Sequence, residues 1–192
     1  MDAGVQAVVD VIVSDRDRFV AFVRSLSDEE LARPVPDSSW IVKDFVSHLA
    51  TLDPIMASWF AAIASGGEAT PGSGGGFNID AFNDKRVAER RDRPIETILA
   101  EADHERAALI DVMAQIDAAA LARTIHFGGD SKRPGADIPF AQYLRGWARH
   151  DAIHTADMLK ALPERRADPD LAAWLAEPEV AATVGAYQQA MA

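Results

Sequence analysis

The helical pattern of this chain is clearest in FAQYLRGWARHDAIHTADMLKAL, from Phe140 to Leu162. Its large apolar residues recur at three- and four-residue intervals, the spacing that places side chains on one face of an α-helix. The members of this set are Phe140, Leu144, Trp147, Ile153 and Met158. Asp137-Ile138-Pro139 is typical of a helix start, and Pro163 ends the pattern. We therefore predict a long amphipathic helix over about residues 137–162.

Three earlier segments repeat this spacing, and we predict a long helix in each. They span about residues 3–26, 42–64 and 94–116. A capping-box pattern from Ser27 to Glu30, followed by the run Arg33-Pro34-Val35-Pro36, separates the first helix from the second. Pro54 should remove one backbone hydrogen bond inside the second helix and kink its axis.

Long connections join these helices. The run SGGEATPGSGGG, from Ser65 to Gly76, predicts a flexible loop because its glycines lose much entropy when they are ordered. A short helical segment over about residues 79–91 follows it, and residues 117–136 form a second long connection. We find no convincing strand pattern. The sequence therefore predicts an all-α four-helix bundle whose long connections favour at least one crossover over simple up-and-down hairpins.

Neither an internal repeat nor a linker divides the sequence, so we predict a single domain over residues 1–192. Its core should cover about residues 3–162. A last helical segment, about residues 168–190, is interrupted at Pro178 and Gly185 and should form a C-terminal appendage.

Composition narrows the class of function. The chain has 192 residues, 48% of them hydrophobic, which is enough for a full core and argues against disorder. The net charge of −11 would repel a nucleic-acid backbone or an anionic membrane surface, so we expect a small molecule or another protein as partner. Because the chain has no cysteine, any metal must be held by His, Asp or Glu.

The sequence predicts neither a signal peptide nor a membrane span. Asp2 stands where a signal peptide would need a basic region, and the longest apolar run, from Ile55 to Ala64, is far shorter than the roughly 20 residues that span a bilayer. We therefore expect a cytoplasmic protein that is neither exported nor inserted in a membrane.

Three of the five histidines fall where the helical pattern calls for an apolar residue. His48 shares a helix face with Phe45 and Leu52, and His150 and His154 lie one turn apart on the face of Trp147. A lone inward histidine is often a hydrogen-bonded core residue, and for His48 alone we favour that interpretation. Two imidazoles one turn apart can instead share one metal ion. For His150 and His154, metal binding is about as plausible as a role as hydrogen-bonded core residues.

These motifs resemble a known family. Trp40-x7-His48-Leu49 at the start of the second helix and His150-x3-His154 in the fourth are similar to the DinB-like family of metal-binding four-helix bundles. The segment DAFNDKRV, from Asp80 to Val87, resembles the stretch before the third helix in proteins close to the mycothiol-dependent maleylpyruvate isomerase N-terminal domain.

The resemblance covers about residues 5–162 and implies a divalent ion, usually zinc or nickel, with water in its open positions. Its ligands would be His48, His150 and His154, near one end of the bundle. Characterised relatives include thiol transferases and isomerases that use a low-molecular-weight thiol such as mycothiol or bacillithiol, and many others have no known activity. A thiol cofactor would supply the reactive thiol that a chain without cysteine lacks.

Three carboxylates lie near these histidines in sequence. Asp44 and Asp157 could each accept the second ring proton of a ligand and fix its tautomer, or could be solvated surface groups. Asp151 could be a weak fourth ligand or a base, although a charge on the helix surface is the simpler interpretation.

Other side chains have two interpretations each. Arg86, close to Asn83, could neutralise a carboxylate on the substrate, but an exposed arginine is the simpler interpretation. Trp40 could line the pocket or fix the entry of the second helix. We expect His104 to be exposed and His126 to lie on the surface.

Three classes of function are consistent with this pattern. The first is a metal-dependent S-transferase or isomerase that uses a thiol and acts on a small electrophile, with turnover itself left open. The second is a non-catalytic metal-binding or stress-response module of the same fold. The third is a purely structural, dimerising bundle without an ion, in which the histidines are hydrogen-bonded core residues. Homodimerisation is plausible because bundles of this size often expose an apolar face.

Overall fold

The computed structural model describes residues 1–67, 79–128 and 135–191. The long helices are α1 (Ala3–Arg24), α3 (Val42–Ala64) and α5 (Ile95–Met113), together with a fourth in two parts, α7 (Phe140–Trp147) and α8 (His150–Met158). The shorter elements are α2 (Asp28–Leu31), α4 (Ile79–Ala88), α6 (Ala118–Leu121), a 3-10 helix (Pro163–Ala167), α9 (Pro169–Leu175) and α10 (Pro178–Met191). Two short strands, β1 (Thr124–Phe127) and β2 (Ala136–Pro139), complete the described part of the chain.

The long helices confirm the prediction of an all-α bundle with a crossover. Both α1 and α3 pack against α5 and against α8, so α1 and α3 lie diagonally opposite each other although they follow one another in sequence. The chain must therefore cross the end of the bundle between them. Consequently, side chains from α1 and α3 meet in the interior rather than along a shared edge.

Helix ends follow the capping chemistry that the sequence encodes. The Asp2 side chain accepts a hydrogen bond from the Gly4 backbone N–H at 2.7 Å and caps α1. The capping box at Ser27 and Glu30 is present at the start of α2, as predicted. Pro54 lies inside α3, which continues from Val42 to Ala64.

Two buried apolar clusters hold the bundle together. One gathers Phe19, Phe45, Leu49 and Leu99, and the other gathers Ile12, Phe60, Leu109 and Phe140. Burying a single side chain of this size contributes about 1.5–3 kcal/mol. The predicted C-terminal appendage also contributes to the first cluster, through Leu171, Trp174 and Val180.

The sequence predicts no strands, and this prediction is wrong. β1 and β2 form an antiparallel hairpin in which Ile125 pairs with Ile138, so Asp137-Ile138-Pro139 lies in a strand, and its last residue, Pro139, is also the N-cap of α7. Each strand has only four residues, too few for an alternating pattern to stand out in the sequence. The fourth long helix therefore begins at Phe140.

The fourth long helix is also interrupted, which its sequence pattern does not indicate. At the junction of α7 and α8, the Arg149 N–H donates to the Gly146 carbonyl at 3.2 Å, a bond three residues back instead of four. The Arg149 side chain is held there by the Asp15 carboxylate at 3.1 Å. This junction sets the orientation of α8 and of the histidines on it.

The predicted Gly-rich loop over residues 65–76 lies mostly outside the described residues. Among the helices that the structure describes, none is both long enough and apolar enough to cross a membrane.

Candidate metal centre

Three histidine side chains converge inside the bundle. His48 projects from α3, and His150 and His154 project from successive turns of α8. One ring nitrogen from each lies within 4.8 Å of the others, and the Nε2 atoms of His150 and His154 are 2.7 Å apart. Bonds of about 2.0–2.1 Å from nitrogen to tetrahedral zinc imply nitrogens about 3.3 Å apart. The histidine nitrogens thus need shifts of an ångström or so to reach ligand geometry.

The surroundings favour the uncharged form of His48 and His150. His48 and His154 are each only 5% exposed, and His150 is half-buried. Burial, reinforced by the neighbouring histidines, lowers the pKa of His48 well below its ordinary value. Burial, followed by the proximity of His154, does the same to the pKa of His150. A neutral imidazole offers the lone pair that a metal ion needs.

Asp157 lies against the histidine cluster. Its Oδ2 is 3.1 Å from the Nδ1 of His154, and its Oδ1 accepts a hydrogen bond from the Lys160 ammonium at 2.7 Å. Burial raises the pKa of Asp157, but the hydrogen bonds from His154 and Lys160 outweigh burial and leave the pKa below its ordinary value. An ionised Asp157 keeps the proton of His154 on Nδ1, so Nε2 faces the other histidines.

Asp44 is buried but serves the helix start instead of His48. Its carboxylate accepts a hydrogen bond from the Ile41 N–H at 3.1 Å and binds the Arg91 guanidinium at 2.9 Å. The Nδ1 of His48 is buried and has no hydrogen-bond partner among the described residues. The three histidines therefore differ in how firmly their ring orientation is fixed.

Asp151 is neither a surface charge nor a member of the histidine cluster. It is 2% exposed and forms an ion pair with Arg16 at 2.7 Å, while Arg106 approaches it at 3.6 Å. Arg106 in turn binds Asp53 at 2.7 Å. Burial raises the pKa of Asp151, but the two arginines outweigh burial and lower it. We call Arg16, Asp53, Arg106 and Asp151 the ion-pair cluster.

Aromatic rings surround the histidines. The ring centroid of Trp40 is 5.0 Å from that of His48, and the Phe45 centroid is 5.5 Å from that of His154. Tyr187, from the C-terminal helix α10, approaches His154 to 6.0 Å. Trp40 also packs on Phe45 at 5.1 Å, so it both contacts the site and fixes the entry of α3.

Helix α4 contacts the aromatic residues around the histidines through Trp40. The indole N–H of Trp40 donates to the Asp84 carboxylate on α4 at 2.7 Å. Asn83 and Arg86 lie on the same helix. Arg86 is half-exposed and lies 3.5 Å from the Glu89 carboxylate. Within the described ranges, Asn83 Oδ1 and Arg86 Nε are buried atoms without a hydrogen-bond partner.

The remaining two histidines lie away from the site, on the surface. His104 is exposed on α5, as expected. His126 is exposed on β1, where its Nδ1 lies 2.6 Å from the Asp137 carboxylate across the hairpin.

Sequence reasoning missed the ion-pair cluster and Tyr187. Arg16, Asp53 and Arg106 each follow a buried apolar residue by four positions and precede another by three. A charged residue at such a position is the signal that could have identified the cluster. Tyr187 had no comparable signal, because its place near His154 depends on how α10 packs.

An all-α bundle with crossed connections and three histidines converging from two helices defines the DinB-like class. The family model described as "Mycothiol maleylpyruvate isomerase N-terminal domain" matches residues 14–159. The chain belongs to this family.

Solved structures show the same fold at low sequence identity. A crystal structure of the mycothiol-dependent maleylpyruvate isomerase aligns over 82% of this chain with a TM-score of 0.60 and 12% identity. A mutant of that enzyme with one histidine replaced by alanine aligns over the same share with a TM-score of 0.61 and 12% identity. The aligned region spans 63% of the enzyme's own length in both cases. No curated protein matches the chain.

Proposed function

We propose that this protein binds one divalent ion, zinc or nickel, through His48, His150 and His154. We further propose that it is a thiol-dependent S-transferase or isomerase acting on a small electrophile. The observation that carries the proposal is the convergence of three imidazole nitrogens within 4.8 Å, with the pKa values of His48 and His150 lowered by burial. Because the chain matches only 63% of the isomerase's length, the isomerase's own substrate is not assumed.

The ion would lower the pKa of a bound thiol and hold it as a thiolate nucleophile, which a chain without cysteine cannot supply itself. Asp157 fixes the tautomer of His154, so Nε2 remains free to act as a ligand. Trp40 and Phe45 cover the buried side and keep water from that face. The half-buried side at His150 would then admit the thiol and the electrophile.

One observation favours the second candidate, a non-catalytic metal-binding module. The Tyr187 ring packs 6.0 Å from His154, so a helix outside the family match at residues 14–159 covers part of the site. If this cover blocks the remaining coordination positions, the ion would have a structural role. Thiol access to the ion separates the two candidates.

The experiment uses protein loaded with cobalt(II), a spectroscopic substitute for zinc. We expect mycothiol or bacillithiol to produce a thiolate-to-cobalt absorption band and to shift the cobalt ligand-field bands. Glutathione tests the choice among thiols, and an alcohol of similar size serves as a control for non-specific effects. A thiol that gives the band is then tested for turnover with small unsaturated or alkylating electrophiles.

Two variants make the result interpretable. His48→Ala should lose both the cobalt bands and the response to thiol, whereas His104→Ala, which removes an exposed histidine on α5, should retain both. Cobalt binding without a response to any thiol would reject the enzyme proposal and favour the structural ion. A failure to bind cobalt would reject both.

A further inference from the structure

A surface groove lies at the C-terminal end of α8, away from the face that carries His150 and His154. It is bounded by α8, the 3-10 helix, α9 and α10, and it encloses about 410 Å³. Pockets of this size accommodate small organic ligands. We propose that the groove binds an organic carboxylate with an apolar tail, and that this binding is coupled to the metal site.

The walls of the groove are apolar. They are formed by Ala156, Leu159, Leu171, Ala172 and Leu175. Alkyl chains gain about 25 cal/mol for each Å² of apolar surface that is removed from water. The lining therefore fits a hydrocarbon portion several carbons long.

The charged side chains that line the groove are positive, whereas the protein as a whole is negative. Among the described residues, the polar side chains that line the groove are Lys160, Arg166 and Gln188, two cations and an amide without a carboxylate. This arrangement occurs on a chain whose net charge is −11. The charge complementarity therefore points to an anionic head group.

Arg166 is positioned to bind that head group. Its Nε donates to the Leu159 carbonyl at 3.2 Å, which fixes the guanidinium at the edge of the groove. The side chain is exposed, so its terminal nitrogens can face a carboxylate in the two-pronged geometry that arginine favours. Lys160 is the second cation at the groove, where it pairs with the Asp157 carboxylate at 2.7 Å.

Two contacts lead from the groove to His154. Lys160 binds Asp157 at 2.7 Å, and Asp157 lies 3.1 Å from the Nδ1 of His154. Gln188 directly follows Tyr187, whose ring lies 6.0 Å from His154. A carboxylate that draws the Lys160 ammonium towards itself leaves more of the Asp157 charge for His154. Because that charge makes His154 a stronger ligand, the metal should bind more tightly.

The probe is sodium octanoate, with acetate and octan-1-ol as controls for the charge and for the chain. Amide NMR shifts on the metal-free protein should map to Ala156, Ala172 and Leu175, and both controls should bind at least tenfold more weakly. Arg166→Gln should weaken octanoate binding about fivefold. Arg145→Gln, which removes an exposed arginine on α7, should leave it unchanged. Unperturbed groove amides, or equal binding of octan-1-ol, would overturn the proposal.

The coupling is measured separately and rests on the metal proposed above. We expect saturating octanoate to tighten zinc binding threefold to tenfold, and zinc to tighten octanoate binding by the same factor. Arg166→Gln should reduce this effect, which distinguishes the groove from direct coordination of octanoate to zinc. Unchanged or weakened zinc affinity would overturn the coupling. Because groove binding is read in the metal-free protein, its failure is distinct from a failure of the metal site.

A second copy of the chain is the competing occupant of the groove. If the groove were a dimer interface, octanoate would convert a dimer to a monomer in light scattering, and this result would also overturn the proposal. We expect the molecular mass to be the same with and without octanoate.

Discussion

His150 and Asp151 are neighbours on α8, yet their side chains belong to two different clusters. Asp151 enters the ion-pair cluster, where Arg16 binds it at 2.7 Å and Arg106 binds Asp53 at the same distance. His150 enters the histidine cluster, where its Nε2 faces the Nε2 of His154 at 2.7 Å. One cluster balances two positive charges with two negative charges. The other brings three imidazole nitrogens together, and its carboxylate, Asp157, contacts the Nδ1 of His154 and not the Nε2 that faces His150.

This difference separates a cluster that stabilises the fold from the proposed metal site. Charges in the ion-pair cluster are matched across α1, α3, α5 and α8, so the cluster ties the bundle together with its own groups. Imidazoles that face one another gain much less from their mutual contact, and their nitrogens can serve as ligands to a cation. Disrupting the first cluster should therefore affect stability, and disrupting the second should affect binding.

The largest expected effect is on stability. Asp151→Ala leaves Arg16 and Arg106 buried with one partner carboxylate fewer, and we expect a loss of about 3–5 kcal/mol in the free energy of unfolding. Asp111→Ala, which removes an exposed carboxylate on α5, should change it by less than about 0.5 kcal/mol. Urea denaturation of the metal-free proteins measures both. A loss below about 1 kcal/mol for Asp151→Ala would mean that the ion-pair cluster does not hold the bundle together.

The second prediction concerns the stabilisation of the protein by zinc at the histidine cluster. Zinc at a free concentration a hundred times its dissociation constant should stabilise the wild-type protein by about 2.7 kcal/mol. His48→Ala should abolish this gain, and His104→Ala should keep it. Thermal unfolding with and without zinc provides the measurement. Equal stabilisation of the His48 variant would exclude His48 from the binding site.

Two buried carboxylates, Asp157 and Asp44, provide a smaller test of the difference between metal binding and stability. Asp157→Asn removes the charge that orients His154, and we expect zinc affinity to fall about 10–100-fold. Asp44→Asn removes the partner of Arg91 and one acceptor at the start of α3, so it should cost about 1 kcal/mol of stability with zinc affinity unchanged. Competition with a zinc chelator gives the affinities. The comparison fails if both variants have the same zinc affinity.

The smallest effect concerns an ion pair outside both clusters. Arg165 lowers the pKa of Glu30 from 4.5 to about 2, with help from the hydrogen bonds at Ser27. A pKa that is lower in the folded state stabilises the protein above about pH 4.5, and this contribution is lost as the pH falls towards 2. Because the Arg165 side chain is 30% exposed, we expect only about 1 kcal/mol.

Glu30→Gln tests this pH dependence. The metal-free variant should lose about 1 kcal/mol less than the wild-type protein between about pH 5 and about pH 2. Denaturant midpoints across that range provide the comparison. Parallel curves for the two proteins would show that Glu30 and Arg165 contribute nothing measurable.

The sequence predicts those parts of the fold in which the helical spacing of apolar residues repeats over many turns. The four helices and the inward position of His48, His150 and His154 follow from apolar spacing over many turns. The hairpin and the break at Arg149 could not be predicted, because each involves only a few residues and depends on contacts with distant parts of the chain. Arg149, for example, is held by Asp15, 134 positions earlier.

Carboxylates near the site show the same limit. Asp44, Asp151 and Asp157 all had a surface interpretation from sequence, and all three are buried. Their different partners, Arg91, Arg16 and His154, come from α8 itself or from distant segments. Helical spacing gives the face on which a side chain lies, but not which opposite group meets it.

The most direct test of the central claim is the metal content of the purified protein, prepared without a metal-binding tag and compared with His154→Ala. We predict about one zinc or nickel ion per chain in the wild-type protein and none in the variant, with the helical content of the two proteins alike. A wild-type protein that neither carries nor takes up a divalent ion would contradict the claim. A variant that retains the ion would also contradict it, because the ion would then be bound elsewhere.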